Sequence, residues 1–331
     1  MKKKIVALTL MAAMLMIGLA GCGQKKSDKE DKGNANAKYQ VGICQLVQHP
    51  ALDEATKGFK QAMTDKLGED VSFDEQNAAG DSANCSTICN TFVSSGKNLI
   101  FANATPALVA ATQATDSIPI VATSITDYAT ALEISDWQGT TGVNVTGTSD
   151  LAPLAEQAAM IKELFPDTKK VGILYCSAEA NSQYQSNIVT KELEKLGIEV
   201  SEFTFADTND VSSVTTKACD ESDVIYIPTD NTAASCTETI NSVASEKKIP
   251  IVAGEEGICK GCGVATLSIS YYDIGYRAGE MAAEILTDGK DPSTMEIEFA
   301  SDLTKKYNPD ICDKLGITVP DDYEAIEMDE E

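Results

Sequence analysis

The run Ile118-Pro-Ile-Val-Ala122 recurs identically as Ile249-Pro-Ile-Val-Ala253, 131 positions later. Short β-branched runs of this kind, bounded by Gly, Pro or Asn and followed by helical periodicity, are typical of buried parallel strands. Two more runs repeat in the same order and at nearly the same distance, Val41-Gly-Ile43 as Val171-Gly-Ile173 and Leu99-Ile-Phe101 as Val224-Ile-Tyr226. The repeated order predicts an α/β protein made of two doubly wound, Rossmann-like lobes of related topology.

The loops after the matched strands are the expected ligand site, because open α/β sheets bind ligands beyond the carboxyl ends of their strands. If the lobes face each other, these loops line one cleft. The candidate ligand-binding residues are Gln45, His49, Thr105, Pro106, Thr123 and Ser124 in the first lobe, Asn181, Ser182, Asp230, Asn231 and Glu255 in the second, and Asp273 at a later crossover.

Two of the matched loops differ in their chemistry. Thr105-Pro106 has the composition of a helix start, with Thr as N-cap and Pro at N1, which would present backbone N–H groups to an anion. A plain structural cap is the alternative. Asp230 holds the equivalent position in the second lobe, where a carboxylate suits a cation, whereas Asp273 has as its alternative a cap or an ion pair with Arg277. Donors in one lobe and acids in the other favour a zwitterionic ligand, with its ammonium group toward the acids.

The N-terminus has the pattern of an export signal. Three lysines at positions 2–4 precede an uncharged, largely apolar run at 5–19, which is shorter than the ~20 residues of a membrane span. Leu19-Ala-Gly-Cys22 resembles the bacterial lipoprotein signal, which implies that residues 1–21 are removed and Cys22 is acylated. An ordinary signal peptide with a coincidental cysteine is the alternative. Residues 22–38, without large apolar side chains after Cys22, are expected to form a flexible tether.

Composition and charge exclude several classes of protein. The formal net charge of −25 and the pI near 4.3 argue against nucleic acid as a partner. His49 is the only histidine, so an enzyme is the weaker alternative to a binding protein, and no nucleotide-loop, nucleophile-elbow or zinc-protease pattern occurs. We therefore expect no catalysis, no cofactor and no metal. Residues 321–331 carry seven carboxylates and are expected to form a solvated acidic tail.

Nine cysteines remain besides Cys22. Cys259 and Cys262 have the spacing of a metal half-site, and a zinc site formed with Cys85 and Cys89 is one interpretation. Free thiols used as small apolar residues are the preferred one.

Seven motifs in order resemble one family. They are Gln45-Leu-Val-Gln-His-Pro-Ala-Leu-Asp53, Gln76-Asn-Ala-Ala-Gly-Asp81, Ala102-Asn-Ala-Thr-Pro106, Asn144-Val-Thr-Gly-Thr-Ser-Asp150, Glu179-Ala-Asn-Ser182, Pro228-Thr-Asp-Asn231 and Tyr271-Tyr-Asp-Ile-Gly275. Together they are similar to the substrate-binding lipoproteins of ABC importers that include tryptophan- and tyrosine-binding members. Cys44 and Gln48 in the first loop depart from the family pattern.

The resemblance implies a type I periplasmic-binding fold with three crossovers and an aromatic amino acid as ligand. It also implies an ABC permease as partner and an extracytoplasmic location, held at the membrane by the lipid anchor. We expect a monomer. A nucleoside or sugar ligand, or a ligand-sensing lipoprotein without a permease, are the alternatives. The first lobe is predicted to comprise residues 39–147 and 273–289 and the second 148–272 and 290–320, with the first crossing at 144–150 and with Gly275 and Gly279 allowing close helix packing.

Overall fold

The computed structural model describes residues 37–328, in which the strands form two sheets. The first sheet is built from β1 (Tyr39–Gln45), β2 (Val71–Asn77), β3 (Leu99–Asn103), β4 (Ile120–Ile125), β5 (Val145–Ser149) and, much later in the chain, β11 (Glu298–Phe299). Its strand order is β11-β5-β4-β3-β1-β2, and all its pairs are parallel.

The second sheet has the same central arrangement. It is built from β6 (Lys170–Cys176), β7 (Glu199–Phe205), β8 (Val224–Ile227), β9 (Ile251–Ala253), β10 (Ala265–Ser268), β12 (Thr304–Tyr307) and β13 (Glu324–Ala325). Its order is β13-β12-β10-β9-β8-β6-β7, with β12 antiparallel to β10. The prediction of two doubly wound lobes is confirmed, and we call the part of the chain built on each sheet the first and the second lobe.

Helices alternate with the strands and cover the sheets. They are α1 (Pro50–Leu67), α2 (Ser82–Ser94), α3 (Thr105–Ala114), α4 (Tyr128–Ala131), α5 (Leu154–Leu164), α6 (Ala180–Lys195), α7 (Val211–Glu221), α8 (Asn231–Ala234), α9 (Thr237–Lys247), α10 (Glu256–Cys262), α11 (Tyr271–Asp288) and α12 (Pro309–Leu315). Within residues 37–328, no helix is both long enough and apolar enough to span a lipid bilayer.

The repeated runs occupy equivalent places in the two sheets, on β1 and β6, β3 and β8, and β4 and β9. Each of the two identical runs places its proline just before the strand, where a residue without an N–H group fits. The carbonyl oxygen of Pro119 accepts from the N–H of Ile100, and that of Pro250 accepts from the N–H of Ile225, each over 3.0 Å. The repeat in the sequence is therefore a repeat in hydrogen bonding as well.

The chain passes between the sheets three times, after β5, after β10 and after β11. After the second passage, α11 returns to the first lobe and packs against α1. A Cβ atom at Gly275 would lie 2.0 Å from the carbonyl oxygen of Ala55, and one at Gly279 would lie 2.6 Å from that of Phe59. Both glycines thus allow the close approach of the two helices that the sequence predicts.

Two predicted boundaries differ from the structure by more than two residues. The sequence predicts that residues 290–299 belong to the second lobe. They belong to the first lobe instead, because Glu298–Phe299 pairs with β5 in the first sheet. The segment after residue 320 is not wholly a solvated tail either, because Tyr323 and Ile326 are buried and Glu324–Ala325 pairs with β12. In the second case two apolar side chains and a short strand outweigh a locally acidic composition.

The nine cysteines of the described part are free thiols. Eight are buried, and Cys236 is half-buried. They fill the hydrophobic cores of both lobes, as the preferred interpretation of the sequence predicts. Cys22 lies outside the described residues.

Candidate functional site

A small cavity lies where the carboxyl ends of the two sets of strands face each other. Its volume of about 10 Å³ is room for about one water molecule. Six predicted site residues line it, namely His49, Ser124, Asn181, Asp230, Asn231 and Glu255, together with Leu52, Asp150, Thr229, Ala234 and Tyr271. The cavity therefore lies where the topology of open α/β sheets predicts a ligand site.

Asp230 and Glu255 each precede a short helix of the second lobe. The carboxylate of Asp230 caps α8 by accepting from the N–H of Ala233 over 2.7 Å, and it also accepts from the N–H of Cys176 and the hydroxyl of Ser182, each over 2.7 Å. Glu255 caps α10 by accepting from two backbone N–H groups. Burial raises the pKa of both carboxyl groups to about 7. Both are thus held in place by neutral donors, without a cation.

Asp150 is the third buried acid of the cavity, at the first crossover. It accepts from the hydroxyl groups of Thr126, over 3.1 Å, and Tyr271, over 3.0 Å. Burial raises its pKa to about 6. Among the described residues that line the cavity there is no lysine and no arginine. The lining therefore gathers three ionisable acids and offers them no positive side chain.

His49 closes the cavity from the first lobe. It stands immediately before Pro50, the first residue of α1, and is 7% exposed. Its Nε2 lies 3.2 Å from Oδ1 of Asn231 in the second lobe. Burial lowers the pKa of the imidazole. The Nδ1 atom has no hydrogen-bond partner among the described residues.

Ser124 lies at an irregularity of the first sheet, where the register between β4 and β5 shifts. Its φ of +58° is in the left-handed region, which costs energy for a residue with a Cβ atom. Its hydroxyl oxygen is buried and has no partner among the described residues. Such strain is found where a side chain is directed into a site.

Several other predicted site residues lie outside this cavity. Thr123 is in the sheet, and its hydroxyl bonds to that of Thr148 over 2.8 Å. The side-chain amide of Gln45 donates to Asp53 and accepts from the hydroxyl of Thr56. These residues line a surface groove beside α1. These side chains therefore shape the first lobe and do not reach the cavity.

The predicted helix-terminal roles also need correction. Ala104, not Thr105, is the N-cap of α3, and Thr105 lines a neighbouring small cavity that shares Asn181. Pro106 is the second residue of that helix and lines neither cavity. Asp273 is exposed in the first turn of α11, where its N–H donates to Ser270. Ser182 is fully buried and contacts two lining residues, Asp230 and Asn181, without lining the cavity itself.

Sequence reasoning missed Asp150 and Tyr271 as lining residues. Asp150 is the last residue of one family motif and Tyr271 the first residue of another. Both also stand at a crossover, and this combination is the signal that points to them. Leu52 and Thr229 lie inside two of the motifs but at no crossover, and Ala234 lies in no motif, so the sequence does not single them out.

Comparison with known proteins shows the family of the chain. Residues 40–327 match the family described as ABC transporter substrate binding protein. The chain is 34% identical over 322 residues to a tyrosine-binding protein of Clostridioides difficile (strain R20291), an alignment that covers 95% of this chain and 93% of that protein.

Two solved structures share the fold at similar sequence identity. The ABC domain from Streptococcus pneumonia in complex with L-Trp is 32% identical, covers 86% of this chain and 97% of its own, and has a TM-score of 0.82. The ligand-free, open structure of a substrate-binding protein with adhesive properties from Clostridium difficile is 34% identical, covers 88% and 100%, and has a TM-score of 0.67. On this evidence, the chain belongs to the ABC transporter substrate-binding protein family.

Proposed function

We propose that this chain binds an aromatic amino acid outside the cytoplasm and delivers it to an ABC importer. The observation that carries the proposal is the set of three buried acids, Asp150, Asp230 and Glu255, around one cavity. Burying a carboxylate is costly unless a positive partner compensates for the lost hydration. The ammonium group of an amino acid supplies that partner, and the protein provides none of its own in the cavity lining.

The other end of the ligand faces the first lobe in this proposal. Ser124 directs an unpartnered hydroxyl to the cavity, and a hydroxyl group donates well to a carboxylate. Thr123, which was expected to share this role, is occupied by Thr148. The carboxylate of the ligand is therefore assigned to Ser124.

The apolar part of the lining suits a ring. It consists of Leu52, Ala234 and the ring of Tyr271. The cavity of about 10 Å³ is far below the ~300 Å³ of a small ligand pocket, so a ring enters only when the lobes move apart. A tyrosine-binding relative and a relative in complex with L-Trp support the aromatic class.

The lipid anchor is the last part of the proposal. Leu19-Ala-Gly-Cys22 lies outside the described residues, and its resemblance to a lipoprotein signal supports acylation at Cys22. Cys22→Ala is expected to release the protein from the membrane fraction and to abolish labelling with fatty acid. A variant that stays membrane-bound and labelled would contradict the lipoprotein assignment.

Calorimetry on protein stripped of ligand by unfolding and refolding tests the ligand class. L-Tryptophan, L-tyrosine and L-phenylalanine are titrated beside their analogues without the amino group, a sugar and a nucleoside. We expect saturable binding of at least one aromatic amino acid and much weaker binding of its deaminated analogue. Absence of heat with all three amino acids, or tight binding of a ligand without an amino group, would overturn the proposal.

A further inference from the structure

Glu179 is a buried acid that accepts five hydrogen bonds, although it lies one layer behind the cavity. One carboxylate oxygen accepts from the backbone N–H and the hydroxyl of Thr232, each over 2.8 Å. The other accepts from the backbone N–H of Asn231 over 3.0 Å, from its amide Nδ2 over 2.7 Å, and from Nδ2 of Asn181 over 3.2 Å. The side chain is 5% exposed.

This carboxylate determines how two asparagine amides are turned. Both of its oxygens accept from backbone N–H groups, and the NH₂ groups of Asn181 and Asn231 face the same carboxylate. The Nδ2 atom of Asn181 also donates to the carbonyl oxygen of Thr229 over 3.1 Å, which fixes the same orientation a second time. The two amide oxygens consequently point away from Glu179, one toward His49 and one without a partner among the described residues.

The orientation of Asn231 in turn determines the tautomer of His49. Its Oδ1 can only accept, so the hydrogen of a neutral imidazole must be on Nε2, 3.2 Å away. Burial lowers the pKa of the imidazole and so favours its neutral form. The remaining nitrogen, Nδ1, then carries a lone pair. It is buried, has no partner among the described residues, and belongs to a side chain that lines the cavity.

We infer that Glu179 is a positioning residue that prepares two acceptors, Nδ1 of His49 and Oδ1 of Asn181, for the ammonium group of the ligand. The inference rests on the proposed function and extends it to a residue outside the cavity lining. The two acceptors come from different lobes, and both side chains are 7% exposed. Because neither atom can donate, the pair accepts an N–H group and repels a carboxylate in the same position. Glu179 thus favours the ammonium end of an amino acid, and not its carboxylate end, beside these two acceptors.

The single histidine makes the tautomer directly measurable. Protein labelled with ¹⁵N in its histidine gives the imidazole signals of His49 alone. In the wild-type protein at neutral pH we expect one tautomer, with a protonated Nε2 and an unprotonated Nδ1. On saturation with L-tyrosine or L-tryptophan, the Nδ1 signal should shift as that atom accepts a hydrogen bond, while the tautomer stays the same.

Glu179→Gln is the first variant, since the amide places an NH₂ group against at least one N–H donor and removes the fixed orientation. We expect a mixture of His49 tautomers, and at least about a tenfold fall in the preference for an aromatic amino acid over its deaminated analogue. Asp223→Asn is the matched control, because Asp223 also accepts two backbone N–H groups, those of Lys169 and Lys170, but at a site remote from the cavity. It should leave both the tautomer and the preference unchanged.

Asn231→Ala keeps the inference testable if Glu179→Gln does not fold. It removes the acceptor beside Nε2 and should release the tautomer while Glu179 stays in place. A wild-type imidazole protonated on Nδ1, or an unaltered tautomer in both variants, would overturn the inference. Failure of every aromatic amino acid to bind would instead count against the proposed function, and the tautomer of the free protein would still decide the role of Glu179.

Discussion

The hydroxyl group of Tyr271 donates to Oδ2 of Asp150 over 3.0 Å and thereby joins the second crossover to the first. Asp150 follows β5, and Tyr271 is the first residue of α11. The contact thus lies where the chain passes from one lobe to the other. Since the same two side chains line the cavity, we expect the ionisation of Asp150 to be linked both to ligand binding and to the arrangement of the crossovers.

Tyr271→Phe should therefore destabilise the protein more than the loss of a hydroxyl group usually does. It leaves the buried Asp150 with one fewer donor, which we expect to reduce the free energy of unfolding by about 1–3 kcal/mol and to weaken ligand binding. Tyr276→Phe is the control on the same helix, because its hydroxyl bonds to Asp65 at the surface. Denaturant unfolding and calorimetry measure the two effects. Equal behaviour of both variants would contradict a special role for the Asp150 contact.

Ligand affinity should fall as the pH falls through neutrality. The pKa values of Asp230 and Glu255 are about 7 and that of Asp150 is about 6 in the ligand-free protein. A ligand ammonium group favours the ionised carboxyl groups, so binding releases protons, and the affinity changes by at most about tenfold per pH unit for each proton. Calorimetry in two buffers of different ionisation enthalpy measures the release directly. Affinity that is constant between about pH 8 and pH 5.5 would exclude these acids as ammonium partners.

Stability of the ligand-free protein should change with pH in the opposite direction. The pKa of Glu255 rises from 4.5 to about 7 on folding, so the folded state binds more protons in this range and loses stability as the pH increases. Glu255→Gln removes this titration. The free energy of unfolding of the wild type, relative to that of the variant, should fall by roughly 1.4 kcal/mol per pH unit between about 4.5 and 7.

Asp223→Asn provides a comparison of opposite sign. Backbone N–H groups of Lys169 and Lys170 lower the pKa of Asp223, so its contribution to stability is present at higher pH and is lost as the pH falls. Urea unfolding of the wild type and of both variants at several pH values measures the sign of each contribution to the free energy of unfolding. If the Glu255→Gln difference is independent of pH, the carboxyl group is not perturbed by burial.

Replacement of Asp230 should weaken ligand binding far more than replacement of Arg277. Asp230 lines the cavity, whereas Arg277 binds Glu298 through two hydrogen bonds of 2.8 Å and joins α11 to β11. Loss of a buried charged partner costs on the order of 2–5 kcal/mol, which is roughly 30- to several-thousand-fold in affinity. Arg277→Ala should affect stability and leave affinity nearly unchanged. Calorimetry on both variants, with folding checked by circular dichroism, makes the comparison.

Regular features of the fold could be predicted from the sequence because they repeat. The strands of both lobes carry buried β-branched runs, and their order indicates the topology before any contact is known. The short strand Glu298–Phe299 could not be predicted in the same way, since two residues show no periodicity and its place in the first sheet depends on pairing with β5.

Site residues could be predicted where the topology alone determines their position. Asp230, Asn231 and Glu255 follow central strands and reach the cavity as expected. Asp273 and Thr123 do not line the cavity, because the direction of a side chain depends on its exact position in a helix or strand, which loop composition does not show. The role of Glu179 needs three-dimensional contacts between segments about 50 residues apart, such as that with Asn231.

The close packing of α11 on α1 has a consequence for how the chain matures. The helix that covers Ala55 and Phe59 is made only after all strands from β6 to β10, so the first lobe lacks one of its covering layers until most of the protein has been synthesised. A polypeptide that ends at Ser270 would expose the apolar side of α1 to solvent and should aggregate. The lobe that comes first in the sequence is thus completed after the main body of the lobe that follows it.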